Sequence, residues 1–319
     1  MSDPPSAGRA IVVGSRGQDG TLLSLELEAE GMSVVGISRQ GVNGTAATEL
    51  TDPRAVQDVV EAVQPAEIYY LAAVHGSSEQ SSRTGEADLL AASFGVHVQG
   101  LVHFLEAIRI CAPHARLLYA ASAHVFGANP ASSPQDESTP FRPDSPYAIT
   151  KAAGVEYCRY FRRRHGVFCS SAILYNHESP LRGPGFVSQR IVNGVADVAS
   201  GRAAHLTVGS LSAVVDWGWA PDFVDAMRRI VRHGEPDDFV VATGEPHTVG
   251  DFVAAAFRLA GIENWSSLVR ENPGLLQTRR GSLIGNPARL HAATGWKPSK
   301  TFDEMVEALW IAAQKSRDR

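Results

Sequence analysis

Tyr147 and Lys151 are the side chains in this sequence whose types and spacing best suit catalysis. They stand four residues apart in the stretch DSPYAITKAAGVEYCRYFRRRHG, from Asp144 to Gly166. On a helix this spacing places the phenol and the ammonium on one face. A cation held close to a phenol stabilises the phenolate and lowers the pKa of the tyrosine, so the pair suits general acid/base catalysis.

The residues around this pair predict a helix that begins just before the tyrosine. Asp144 or Ser145 can cap its start, and Pro146 suits its first turn. Gly166 can end it. We therefore predict a buried helix with a polar start, preceded by a cofactor-binding part of the chain and followed by a substrate-binding part.

A glycine-rich turn near the N-terminus predicts a dinucleotide site. The apolar run from Arg9 to Gly14 is typical of a buried parallel strand, and it leads through GSRGQDG into a helical stretch from Thr21 to Glu30. Strand, turn and helix start together can lay a pyrophosphate on backbone N–H groups. The residues of this turn that we expect at the cofactor are Gly14, Arg16, Gly17, Gln18, Asp19 and Gly20.

The end of the second predicted strand, Ser33 to Ile37, indicates which dinucleotide binds. An acidic residue there would bond the ribose hydroxyls of NAD. This chain has Ser38 and Arg39 instead, and Arg16 lies in the nearby glycine turn. Two cations and no acid suit the 2′-phosphate of NADP, so we predict NADP rather than NAD.

Strands alternate with helices along most of the chain, and this order predicts an α/β fold with a doubly wound parallel sheet of the Rossmann type. One of the predicted helices is long, from Glu86 to Ile110. We expect residues 1–175, joined again by about 211–245, to bind the dinucleotide. Residues 176–319 should form mainly a smaller C-terminal α/β lobe that binds substrate.

Composition and charge exclude several classes of protein. The 319 residues are 44% hydrophobic with a net charge of −5, which gives no reason to expect nucleic acid as a partner. Cys111, Cys158 and Cys169 have no metal-type spacing, and their odd count argues against a disulfide framework. His97 and His103 fall on different faces of one predicted helix, so we expect no metal site.

The N-terminal segment indicates the cellular compartment in which we expect the protein. MSDPPSAGR is polar and lacks the apolar core of a signal peptide. No run of about 18 apolar residues occurs in the sequence. We therefore expect a cytoplasmic protein that does not contact a membrane.

Several longer motifs carry a family resemblance. Besides GSRGQDG and SPYAITK, the chain contains AEIYYLAA, ILYNHESPLRG, DWGWAPDFVDAM, VVATGEPHTVGDFV and GWKP. With these stretches it resembles the extended short-chain dehydrogenase/reductase superfamily and, within it, the GDP-mannose 4,6-dehydratases. The similarity runs almost end to end, and NHESP with ATGEPHTV is far more specific than a glycine turn.

The resemblance implies roles for three side chains. It places the superfamily's serine or threonine at Ser122, its tyrosine at Tyr147 and its lysine at Lys151. In such enzymes the tyrosinate takes the proton from the sugar's 4-hydroxyl while hydride leaves C4 for the nicotinamide. The serine bonds the same oxygen, and the lysine also holds the nicotinamide ribose.

One position departs from the family at the centre of the chemistry. The dehydratases carry a glutamate two residues after the catalytic serine or threonine, where it removes the C5 proton and helps O6 leave as water. This chain has His124 there. Histidine titrates near neutrality and could take that proton, position the substrate, or only pack against its neighbours. The sequence therefore supports oxidation at C4 better than elimination of water.

The resemblance also implies contacts to the two nucleotides. Asn176 lies where the family contacts substrate phosphate, and FVSQR lines the sugar-nucleotide pocket, which implicates Val187 and Arg190. Glu49 lies where the family often has an acidic contact to adenine. The other residues expected along the cofactor are Leu50, Leu71, Ala72 and Ala73.

Two further departures touch the substrate nucleotide. The family's arginine before DWG is Val215, and Leu276 stands near the place of a later phosphate-binding arginine. Arg279 or Arg280 could replace that arginine, since a guanidinium suits a diphosphate. A GDP-linked substrate is therefore an expectation from resemblance.

These observations predict an NADP-dependent nucleotide-sugar enzyme that oxidises hexose C4, a lyase like the 4,6-dehydratases. A 4-ketoreductase or epimerase, which loses no water, is the alternative on the same scaffold. A non-catalytic NADP-sensing protein is an alternative of another class, although a sensor has no need of the Ser122, Tyr147 and Lys151 set. The superfamily resemblance suggests a homodimer or homotetramer.

Overall fold

The computed structural model describes residues 8–38, 48–74, 85–128, 130–275 and 282–317. Its centre is a six-stranded sheet in which all neighbouring strands run parallel. The strands are apolar because both faces of the sheet are covered. In spatial order they are β2 (Ser33–Ile37), β1 (Arg9–Val13), β3 (Glu67–Tyr70), β4 (Arg116–Ser122), β5 (Cys169–Leu174) and β9 (Asp238–Val241).

Helices cover both faces of this sheet, which confirms the predicted doubly wound α/β fold. On one face, the helix that follows β1 packs against the helix that precedes β9. On the other face, the helices between β2 and β5 pack against one another. The helices are α1 (Gln18–Ala29), α2 (Pro53–Val63), α3 (Glu86–Phe94), α4 (Gly100–Cys111), α5 (Pro146–His165) and α7 (Ala220–Arg232).

The long helix predicted from Glu86 to Ile110 is interrupted. A π-helical segment, Gly95–Gln99, separates α3 from α4. The combined segment Ala87–Cys111 has a mean hydropathy of 1.2, so by length and composition it could span a membrane. Leu101, Phe104 and Ile108 are nevertheless fully buried, so the α4 part of the segment packs in the main core of this fold.

A second hydrophobic core lies in the C-terminal part of the chain. It gathers residues such as Trp217 and Phe252 between helices and two small sheets. Four of its strands have only three residues, and three of these escaped the sequence analysis, since so short a run has no readable periodicity. The strands are β6 (Asn176–Glu178), β7 (Leu206–Val208), β8 (Val214–Trp219), β10 (Pro246–Thr248) and β11 (Val269–Glu271), and the remaining helices are α6 (Val187–Ala199), α8 (Val249–Leu259), α9 (Ala288–Thr294) and α10 (Phe302–Arg317).

Candidate active site

The predicted catalytic serine and tyrosine lie where β4 ends and α5 begins. Ser122 is the last residue of β4, and Tyr147 is the second residue of α5. The helix starts as predicted, because the Ser145 side chain accepts a hydrogen bond from the Ala148 amide. It lies close against β4 because residue 154 is glycine, where a Cβ would come within 2.3 Å of the Tyr119 hydroxyl.

Lys151 lies one turn further along α5 and is 2% exposed. Its Nζ donates a hydrogen bond of 2.7 Å to the Ala120 carbonyl and lies 5.9 Å from the centre of the Tyr147 ring. Burial lowers the pKa of Lys151 to about 7, and attraction to the Asp19 carboxylate opposes this only in part. The charge of Lys151, beside the tyrosine, therefore changes with pH near neutrality.

His124 joins the same cluster from the 3₁₀ turn Ala123–Phe126 that follows β4. Its ring meets the Tyr147 ring edge to face, with the ring centres 5.6 Å apart. The His124 amide donates a hydrogen bond of 3.3 Å to Ser122 Oγ, a bond that does not use the hydroxyl's own proton. The structure thus brings together the four side chains for which the sequence predicts catalytic roles.

His97 also contacts the tyrosine, and the sequence analysis missed it. Its ring lies edge to face with Tyr147, with centres 5.3 Å apart. Its Nε2 accepts a hydrogen bond of 2.9 Å from the Val74 amide, so Nδ1 carries the proton and donates to Thr150 Oγ1 at 2.8 Å. A neutral, fully buried imidazole therefore ties the segment after β3 to the tyrosine helix. His97 lies in the π-helical segment and contacts residues that are distant in the sequence. No local sequence pattern reveals such contacts.

The glycine turn has the shape of a diphosphate cradle. Gly14 adopts φ +91°, and a Cβ there would lie 2.8 Å from the Ala72 amide. A Cβ at Gly20 would lie 2.3 Å from the Gly14 carbonyl, so the start of α1 approaches the turn closely. Gly17, the N-cap of α1, offers no side chain to the first-turn N–H groups. A phosphate fits this arrangement, because backbone donors line it and no Cβ fills it.

The side chains of Gln18 and Asp19 point from this turn toward β6. Gln18 Nε2 donates to the His177 carbonyl at 3.2 Å and to Asp19 Oδ1 at 3.1 Å. Gln18 Oε1 accepts from the Ser179 hydroxyl at 2.8 Å. Both Asp19 oxygens lie 3.0 Å from His177 Nε2. The first turn of the dinucleotide helix is therefore tied by side chains to the strand expected at the substrate.

The other residues predicted along the cofactor surround this turn in part. Leu71 follows β3, and its amide donates to the Val13 carbonyl at 2.8 Å, with Ala72 and Ala73 next to it. Glu49 accepts hydrogen bonds from the Thr51 amide and hydroxyl. Leu50 packs against the main core, and Arg16 is exposed. Arg39 lies outside the described residues, so its predicted contact is not placed.

The residues predicted at the substrate lie on two elements beside the cluster. Asn176 is exposed at the start of β6, and Val187 begins α6. Arg190 lies in the same helix and donates to the Thr207 carbonyl at 3.4 Å. The predicted Arg279 and Arg280 fall outside the described residues. Within the described ranges no three His, Cys, Asp or Glu side chains gather in a way that could hold a metal ion.

Comparison with known proteins identifies the family. The family model of GDP-mannose 4,6 dehydratase matches residues 11–309. The curated GDP-mannose 4,6 dehydratase 2 of Caenorhabditis elegans is 32% identical over 94% of this chain and 87% of its own length. GDP-mannose 4,6 dehydratase 2 of Arabidopsis thaliana is 31% identical over 94% of this chain and 85% of its own length.

A solved structure supports the fold. RMD from Pseudomonas aeruginosa, complexed with NADPH, has a TM-score of 0.80 and 23% identity, covering 97% of this chain and 99% of that one. The match to the family model spans the glycine turn, the tyrosine helix and the β6 segment within a single alignment of the chain. The chain therefore belongs to the GDP-mannose 4,6 dehydratase family.

Proposed function

We propose that this protein binds NADP and acts on a nucleotide-diphosphate sugar, GDP-linked by family, oxidising hexose C4 and then eliminating water across C5 and C6. The observation that carries this function is the cluster of Ser122, Tyr147 and Lys151 on β4 and α5. Support for the cofactor comes from the glycine turn, whose backbone donors suit a diphosphate.

The redox half requires one base, one hydrogen-bond donor and one cation around a single alcohol. Tyr147 takes the proton from O4, Ser122 donates a hydrogen bond to the same oxygen, and Lys151 stabilises the tyrosinate. When bound, NADP would supply the hydride acceptor for C4 and afterwards the hydride for C6, and the proton that Tyr147 took from O4 would complete the balance at C5. The lysine's pKa near 7 leaves its charge sensitive to the tyrosinate and to the bound ligand.

The elimination half falls to His124. The neutral imidazole takes the proton from C5, and the imidazolium gives that proton to O6, which leaves as water. The edge-to-face contact with Tyr147 supports this role, because it places acid/base groups for neighbouring sugar atoms side by side. The proton removed from C5 is therefore the one that leaves with O6, and His124 carries out both transfers.

The parts of the chain divide the work. Residues 1–175, with about 211–245, bind the dinucleotide, and 176–319 form mainly the lobe for the sugar nucleotide.

An exposed apolar face on α3 and α5 supports homodimer or homotetramer formation, which light scattering of the purified protein tests. That face carries Leu90, Phe94, Ile149, Tyr157 and Tyr160. A cytoplasmic location completes the proposal, and fractionation of the source cells checks it.

Incubation with GDP-mannose and NADP, followed by mass spectrometry of the sugar nucleotide, tests the reaction. Dehydration lowers the product mass by about 18 units because one water is lost, whereas C4 oxidation alone lowers it by about 2 with stoichiometric NADPH. His124→Glu should raise the rate of dehydration, and His124→Gln should lower it while C4 oxidation persists. Equal dehydration by the wild type and by His124→Gln would remove the histidine from the elimination step.

A second candidate is a 4-ketoreductase or epimerase, which the histidine itself favours, since the family's carboxylate base is absent from that position. In that reaction His124 orients or protonates the sugar and no water is lost. The same incubation would identify an epimerase by a sugar nucleotide of unchanged mass with altered stereochemistry. A second incubation, with NADPH and a 4-keto sugar nucleotide, would identify a ketoreductase by the consumption of NADPH.

A further inference from the structure

The contact between Asp19 and His177 joins the dinucleotide turn to the substrate strand through a buried pair. His177 is 6% exposed and lies in the middle of β6. Its Nδ1 is 2.7 Å from the Tyr175 carbonyl, and its Nε2 is 3.0 Å from both oxygens of Asp19. A carbonyl and a carboxylate only accept hydrogen bonds, so each ring nitrogen must donate. The geometry therefore requires the doubly protonated, positively charged imidazolium.

The groups that face this imidazolium support the charge. Burial works against the charged form, but the Asp19 carboxylate outweighs it and raises the pKa of His177 above its ordinary value. The same pairing lowers the pKa of Asp19 although burial opposes it. Arg182, in the turn after β6, acts against the imidazolium, and the neighbouring Glu178 is itself partly compensated by Arg182. From α7 the apolar ring of Phe223 faces the imidazole, stacked with centres 4.5 Å apart.

Asp19 lies where its negative charge would weaken cofactor binding unless a positive charge compensates it. It lies in the first turn of α1, where a phosphate would meet the backbone N–H groups. An unpaired carboxylate in that turn would repel a diphosphate. Asp19 also attracts the buried ammonium of Lys151. Its charge therefore bears on both the cofactor turn and the catalytic cluster.

We propose that His177 is a positioning residue whose positive charge compensates Asp19, keeps the α1 turn favourable for a dinucleotide diphosphate and holds the substrate strand β6 against that turn. This role rests on the proposed binding of NADP. It makes cofactor affinity depend on the protonation of a residue of the substrate strand. Affinity should be highest where His177 is charged and should fall as the pH rises through its raised pKa.

A charge-compensation cycle tests this role by NADPH fluorescence titration of the full chain at pH 6.5 and pH 8.5. His177→Gln keeps a hydrogen-bond donor for Asp19 but removes the charge, so it should bind NADPH about tenfold more weakly than the wild type at pH 6.5. Asp19→Asn/His177→Gln removes both charges, so it should recover near-wild-type affinity. Its affinity should keep only the pH dependence that Lys151 and NADPH itself contribute.

Each outcome bears on the proposal. Wild-type affinity in His177→Gln at both pH values would overturn it, and so would a double variant that binds no better than the single one. If His177→Gln does not fold, the pH dependence of the wild type compared with that of the double variant decides, and parallel curves would overturn the role. A wild type that binds no NADPH at either pH would instead refute the proposed function, and this inference with it.

Discussion

Replacing Lys151 by methionine should remove a pH dependence from the stability of the ligand-free protein. The ammonium is 2% exposed, and burial lowers its pKa from 10.5 to about 7. Unfolding returns the side chain to water and to its ordinary pKa. Between these two values the unfolded chain holds a proton that the folded chain lacks, and methionine cannot bind it.

The size of the effect follows from this difference in bound protons. A state that binds more protons is disfavoured as the pH rises, so the free energy of unfolding should increase by up to about 1.4 kcal/mol per pH unit in this window. Near pH 7 the folded lysine is half protonated, so the gain from pH 7 to pH 9 should be about 2 kcal/mol. The hydrogen bond to the Ala120 carbonyl is lost in the variant, which adds an offset that hardly depends on pH.

His177 contributes with the opposite sign in the same range. Its raised pKa stabilises the fold below the ordinary histidine value, and this stability is lost as the pH rises through the raised value. The quantity to measure is therefore the difference between wild type and Lys151→Met, in which the histidine cancels. Urea unfolding followed by circular dichroism between pH 6 and pH 9 gives that difference, with Lys297→Met at an exposed lysine as the matched control. If this difference stays constant across the range, the pKa of Lys151 is not lowered by burial and the reasoning is refuted.

Three further variants probe the parts that position the site. Tyr147→Phe should abolish turnover while NADPH binding persists, because the phenol supplies the acid/base group and not the cradle; measurable turnover would contradict its role. Gly154→Ala should lower stability by about 1–3 kcal/mol, since the added methyl would meet the Tyr119 side chain, whereas Gly234→Ala, where nothing lies within 4 Å, should unfold like the wild type. Equal urea midpoints for the two alanine variants would count against the close approach of α5 to β4. His97→Phe should cost about 1 kcal/mol because it leaves the partly buried Val74 N–H without its acceptor, and an unchanged urea midpoint would show that this bond is unimportant.

The features that the sequence predicted are those with a local cause. The tyrosine helix begins at Pro146 and ends at Gly166, which adopts the left-handed conformation at its C-cap, as the start and stop residues indicate. The glycine turn is local only in part, since Gly20 approaches Gly14 within one βα unit whereas Gly14 approaches Ala72 after β3. Apolar strands alternating with helices were enough to predict the parallel sheet.

The features that the sequence did not predict depend on contacts between distant residues. His97 reaches Thr150 across 53 positions, and its spacing from His103 gave no hint of that partner. Asp19 and His177 are 158 positions apart, so neither motif alone indicates a charge pair. The β6 strand has only three residues and pairs with β8, whose position the local pattern does not fix.

The cluster around Tyr147 imposes opposite protonation demands on its two neighbours. Lys151 must be charged to stabilise a tyrosinate, and with a pKa of about 7 it loses that charge as the pH rises. His124 must be neutral to take a proton from C5, and an imidazole becomes neutral as the pH rises. A glutamate at this position would already be ionised where the lysine is fully charged, so the two demands would not conflict. With histidine as the base, the proposed dehydration is therefore limited on the acid side by position 124 and on the alkaline side by Lys151. Comparing the dehydration rate of the wild type and of His124→Glu across pH separates the base from the lysine: the acid limb should move to lower pH in the variant while the alkaline limb stays in place.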